Sequence, residues 1–273
     1  MKKIWWVVIA VVVVILFLIG GEVYKRQTNS KTNSSSTEKD EAPTVTTNFV
    51  DVDKIAAITK FRSCQGHIVV PQDGSETRSN MKHYFYLKKE FTSAQGMVPL
   101  YAPFDGYVFD IFSEEGEGFS DRVAESRDVS FSKEKGFLSR SGWMLTILHI
   151  IPTSSLKKGD AVKAGQLVGH VALEKIPPYY SFDVTYSKMG TFPKKVDGWN
   201  SPYAALDSVF NHMDSAILAR FQLFGITTPE SFIISKSIRD ASPCQYRSGS
   251  VQFDRELNKD WANDWIGNIK DAV

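Results

Sequence analysis

Cysteine is nearly missing from this 273-residue chain, which holds only Cys64 and Cys244. A scaffold stapled by several disulfides is thereby excluded. Two readings of the pair stay open: one disulfide formed in an oxidising compartment, or two buried free thiols. An excess of either charge is missing too. Against 32 Lys+Arg stand 31 Asp+Glu, net +1. So even a balance gives no broad basic surface, and no nucleic-acid partner is expected. Histidine is scarce at five residues, which limits the imidazoles available to any metal centre.

What is present begins with a charge-free run from Ile4 to Gly21. At ~1.5 Å per helical residue it reaches about 27 Å, close to the thickness of a bilayer's hydrocarbon core. Trp5, Trp6 and Tyr24 stand at its ends, where amphipathic rings favour the interface. The run is longer than the apolar core of a cleaved signal, and Leu18-Ile-Gly-Gly-Glu22 is a poor cleavage site. A single transmembrane anchor is expected over 1–26. Lys2 and Lys3 favour a cytoplasmic amino terminus and therefore an extracytoplasmic body, although Lys25 and Arg26 lie on the other flank. Residues 27–48 are Ser/Thr/Asn-rich with almost no large apolar side chains, a flexible tether that cannot bury a core.

From 49 to 199 the pattern is mostly β. Short β-branched and aromatic runs (67–70, 83–87, 98–102, 107–112, 143–149, 166–172, 181–186) are separated by Gly, Pro and Asp. A short helix is expected over 52–61 with Asp51 or Asp53 as its cap. Residues 113–141 read as a long hairpin insertion, with a strand at 128–132. Past Trp199 the period changes. Ser201-Pro202 looks like a helix start, and Tyr203, Leu206, Val209, Phe210, Met213, Ile217 and Phe221 recur at helical spacing before Gly225. Residues 200–273 are therefore expected to form a helical cap on the β-domain.

Two segments answer each other: Val98-Pro-Leu-Tyr-Ala-Pro-Phe-Asp-Gly-Tyr-Val108 and Leu156-Lys-Lys-Gly-Asp-Ala-Val-Lys-Ala-Gly-Gln-Leu-Val-Gly169. Asp105-Gly106 and Gly159-Asp160 are hairpin-turn signals between apolar runs. With Thr146-Ile-Leu-His-Ile150, these segments resemble the core of the M23-type zinc peptidases over 99–184. That resemblance implies a flattened barrel-sandwich, the duplicated hybrid motif (core 98–186), and it places His149 at the family's catalytic histidine beside the metal.

The family's zinc ligands are a histidine, an aspartate and the second histidine of H-x-H. Carried onto Met81-Lys-His-Tyr-Phe-Tyr-Leu87, His83 matches the first ligand, while Leu87 stands where the aspartate belongs. In Pro178-Tyr-Tyr-Ser-Phe-Asp-Val184, Tyr179 and Ser181 replace both histidines. Catalytic zinc needs about three protein ligands and an open position. His83, a weak metal candidate, is the one that survives.

The resemblance thus implies a noncatalytic relative without cofactor, lodged at the cell envelope. Its partners would be the membrane, cell-wall glycan or peptide, or an envelope hydrolase that it regulates. The groove candidates are His83, His149, Tyr179 and Ser181. A displaced zinc set drawing on His67, His170, Asp73 or Asp183 would instead make an active endopeptidase. A membrane-fusion-type transport adaptor is the third reading; its heptad hairpin after Gly165-Gln166 is not in the sequence. Tyr84, Tyr86, Tyr101, Tyr107, Tyr179, Tyr180 and Tyr186 read either as strand and core-edge residues or as an aromatic binding groove.

Overall fold

The structure, a computed structural model, describes residues 42–113, 123–136, 142–173, 181–247, 249–258 and 261–272. The expected anchor, most of the tether, and Tyr179 and Tyr180 lie outside these. Among the described residues no helix is long and apolar enough to cross a membrane.

Eleven strands are described: β1 (Ile55–Thr59), β2 (His83–Leu87), β3 (Pro99–Tyr101), β4 (Gly106–Ser113), β5 (Arg127–Ser132), β6 (Trp143–Pro152), β7 (Ala161–Val162), β8 (Leu167–Val171), β9 (Ser181–Val196), β10 (Trp199–Asp207) and β11 (Trp265–Gly267). They form one sheet ordered β11-β1-β2-β9-β6-β5-β4-β7, with β10 on β9 and β3 joined through β8 to β6. The sheet is open. The expected closed barrel is corrected accordingly, whereas the mainly β class stands.

The two answering segments do interlock, though not as two hairpins. Gly106 and Tyr107 pair with Val162 and Ala161. Val108 donates to the Asp160 carbonyl, and Gly159 donates back to Val108. Ala102 and Gly165–Gln166 exchange backbone bonds in the same way. Gly159 and Gly165 take positive φ, 84° and 78°, as tight turns require. Gly106 has another reason. A Cβ there would sit 2.4 Å from the Ser132 carbonyl oxygen, so glycine is needed for close strand packing rather than for a turn. The Asp-Gly pair that does make a hairpin is Asp197-Gly198, with φ of 51° and 91°, joining β9 to β10.

Two expected helices are corrected. Asp51 does cap a turn, its carboxylate accepting from the Asp53 N–H, but that turn ends at Lys54 and β1 follows. All five β1 positions are buried, and the strand pairs with both β2 and β11. Two-sided burial favours β-branched Ile and Thr in a strand over a helix with a wet face. The C-terminal cap is corrected at its start, while short helices do follow at Ser215–Leu218 and Lys236–Ala241. Residues Trp199–Asp207 are a strand, with Pro202 at a register shift where its missing N–H costs no ladder bond. Beyond it, Ser208 and Asp214 each cap a new short turn, through Phe210 N–H and Ala216 N–H. These caps cut the periodic run into pieces. The apolar positions still reach the core: Val209, Phe210, Phe221 and Phe232 are buried with Phe49, Phe85 and Phe182. Each ring contributes about 1.5–3 kcal/mol of burial.

Cys64 and Cys244 are joined by a disulfide, with Cα atoms 5.3 Å apart across 180 residues of sequence.

Candidate functional site

Strand alternation decides which side chains meet, because successive residues point to opposite faces. In β2, His83, Phe85 and Leu87 are buried, and Phe85 and Leu87 belong to the apolar core. His83 sits against Phe61 and Phe210. Its Nδ1 lies 2.7 Å from the Thr59 carbonyl oxygen and its Nε2 lies 2.9 Å from Ser208 Oγ. Burial pushes this imidazole down to about 4, so it is neutral at ordinary pH. Both ring nitrogens are engaged by the protein, and the ring faces the core.

Lys82 and Tyr84 turn the other way. The Lys82 ammonium lies 2.7 Å from Asp183 Oδ2, 3.3 Å from His67 Nε2 and over the Tyr84 ring. Asp183 stands opposite Tyr84 on β9 and opposite Leu148 on β6. His149 Nε2 reaches the same Oδ2 at 3.2 Å. The side chains of Lys82, Asp183 and His149 are only 6%, 1% and 6% exposed.

A bulge aims His149. The β5–β6 register shifts between Arg127 and Val129, and His149 adopts φ 64°, a left-handed backbone uncommon for histidine. Its N–H is 3.2 Å from Asp128 Oδ1. Strain of this kind persists where surrounding structure over-determines it, often beside functional groups.

The charges are mutually set. Burial pulls Lys82 down, but the Asp183 carboxylate more than reverses this and holds the ammonium above the ordinary lysine range. Burial raises Asp183, and Lys82 followed by His149 overcomes it, leaving the carboxyl well below the usual range. His67, desolvated and next to Lys82, is pushed down to about 3. Asp128 is raised by burial. Asp183 Oδ1 is buried and has no hydrogen-bond partner among the described residues.

These donors do not fit a catalytic zinc. Among the described residues no group of three or more His, Cys, Asp or Glu side chains is placed to hold a metal. Leu87 is core, and Ser181 opens β9 opposite Tyr86. Lys82 is itself the cation bound by the Asp183 carboxylate. His83 and His149 are not brought together, and Asp73 is exposed, bonded to Ser75. Lys82 is the residue that sequence reasoning missed. No local signal could have found it, because its partner Asp183 is 101 residues away. Among the described residues the tyrosines do not share one groove either. Tyr186 packs in the core against Trp143 and His212, and Tyr86 against Trp265.

No protein-family model and no curated protein sequence matches the chain. Solved structures similar to it include Csd3 of Helicobacter pylori, at 16% identity and TM-score 0.31, covering 54% of this chain and 34% of that one. Lysostaphin has 15% identity and TM-score 0.30, with 47% of this chain and 48% of that one covered. The SpoIIQ-SpoIIIAH pore forming complex has 14% identity and TM-score 0.34, with 64% and 93% covered. The chain thus spans half or less of the first two. Likenesses this partial carry no argument of their own. Fold and site together describe an open, mainly β domain in which the segments at 98–108 and 156–169 interlock. Its polar face carries a buried Lys82–Asp183–His149 cluster, which includes none of the positions to which the resemblance assigns the ligands. The M23-like resemblance stands on the residues of the interlocked segments and on His149.

Proposed function

We propose that this is a membrane-anchored, extracytoplasmic M23-like protein whose groove binds a partner at the cell envelope and does not cut it. The observation that carries this reading is the Lys82–Asp183–His149 cluster. A protonated amine already neutralises the carboxylate, and the nearest surviving ligand match, His83, is buried in the core with both nitrogens bonded. A zinc ion there would have to displace an ion pair and would gain no third donor. The anchor rests on the apolar run at 4–21, and the oxidising compartment is supported by the Cys64–Cys244 bond.

The test is zinc content. Full-length protein in detergent is analysed by plasma mass spectrometry before and after one equivalent of zinc and subsequent desalting. Protein that stays metal-free supports the reading, and one zinc retained per chain overturns it in favour of an endopeptidase. Protease shaving of intact cells tests the placement; a body that resists digestion until the cells are lysed lies inside.

A further inference from the structure

Beside the cluster, on the same face of the sheet, lies a pocket of about 730 Å³, within the range of sites that enclose a ligand. Its walls are mainly apolar: Phe112, Met144, Leu148, Met189, Pro202 and Tyr203. Phe112 is 44% exposed at its edge. Three charged residues also line it, and their pairings differ. Asp110 is taken by Lys158 at 2.8 Å, and the Lys188 ammonium lies over the Trp143 ring. Among the described residues Asp128 has no lysine or arginine partner; its ionisable neighbour is His149. Its Oδ1 accepts the His149 N–H, and His149 Nδ1 is 4.0 Å away. Lys82, the cation of the neighbouring cluster, is held by Asp183.

A carboxylate largely removed from water with no lysine or arginine beside it is an arrangement that a cationic ligand can complete. The Ser130 and Thr146 hydroxyls bond each other at 2.7 Å, which uses one of their two O–H donors. A mainly apolar pocket with a carboxylate in its lining matches one common chemistry, a long aliphatic stem with a charged head. We propose that this pocket receives a lysine or arginine side chain from a partner protein, its stem along the apolar walls and its head on Asp128. The proposal names the ligand class of the noncatalytic groove and rests on that reading.

The test uses the detergent-solubilised full chain and fluorescein-tagged heptapeptide pools with a fixed central residue and mixed flanks, read by anisotropy. The pool with central lysine should bind about tenfold tighter than the pool with central norleucine, which has the stem without the charge. Asp128→Asn, which keeps the oxygen that accepts from His149, should abolish that preference. Phe112→Ala, at a position 44% exposed, should weaken the lysine pool as well. Equal binding of the two pools, or an Asp128→Asn protein that still prefers lysine, overturns the proposal. So does butylammonium binding as tightly as the lysine pool, since the ligand is then a free amine and not a protein segment. Zinc is measured on the same sample. A zinc-bearing chain sinks the noncatalytic reading, whereas a metal-free chain indifferent to lysine sinks the ligand class alone.

Discussion

His83 and His149 flank the same strand, β9, and the protein uses them in opposite ways. His83 faces inward among Phe61 and Phe210, neutral and bonded at both nitrogens. His149, turned by a bulge and a left-handed backbone, reaches a buried carboxylate in a charged cluster. The side chains are identical. Strand pleat and bulge set the environment, and environment sets the chemistry. One face of β2 and β9 is an aromatic core. The other is a set of charges kept inside by each other.

The comparison breaks most sharply at Lys82. Lys82→Met leaves the Asp183 carboxylate buried without its ammonium, which should cost about 3–5 kcal/mol in urea unfolding. The double change Lys82→Met with Asp183→Leu should recover most of that, because a matched apolar pair leaves no buried charge behind. A single substitution costing less than about 1 kcal/mol would mean that water reaches the cluster and that the two faces differ less than the geometry states.

The next largest effect separates the faces by pH. The folded value of His83 is lowered to about 4 from an ordinary 6.5. Between these values the unfolded chain binds a proton that the folded chain refuses. Its contribution is therefore complete above pH 6.5 and is lost as pH falls toward 4, on the order of 3 kcal/mol for this residue. His67, on the charged side, is lowered to about 3 and adds a loss of the same sign over the same start. Asp183, held below its ordinary value, adds another as pH falls below the usual carboxylate range. Urea midpoints taken from pH 7 to pH 4 should fall throughout. In His83→Gln, which keeps donor and acceptor but cannot charge, the slope should shrink by about one proton. An unchanged slope would place the acid sensitivity wholly on the charged face.

How far the sequence foretold this depends on the range of the contacts. The interlocked segments were legible because Gly159 and Gly165 shape their own tight turns, whereas Asp105 acts at long range, accepting from the Ala164 N–H. The strands at 83–87 and 143–149 were legible because short β-branched and aromatic runs mark them locally. The C-terminal helix was misread for a related reason: apolar spacing from 203 to 221 is real, but it describes burial and not the backbone. The caps at Ser208 and Asp214 and the pairing of β10 with β9 override it. The charged cluster was illegible. Lys82 and Asp183 are separated by 101 residues, and no local pattern announces that a lysine will lose its water. The bulge that turns His149 toward Asp183 depends on the β5–β6 register, which no single segment contains.

The smallest effect is a control on what burial means. Lys163 and Asp105 form an ion pair at 3.0 Å, about as close as Lys82 and Asp183 at 2.7 Å, yet their side chains are 82% and 57% exposed. Water already solvates both charges, and holding two long chains in one geometry costs entropy that offsets the attraction. Lys163→Ala should therefore leave the unfolding midpoint within experimental error. Asp105 would keep its bond from the Ala164 N–H. A loss at Lys163 comparable with that at Lys82 would show that ion pairing itself, and not its removal from water, makes Lys82 matter. The distinction between the two lysines would then have to be sought in the strand pairing around them.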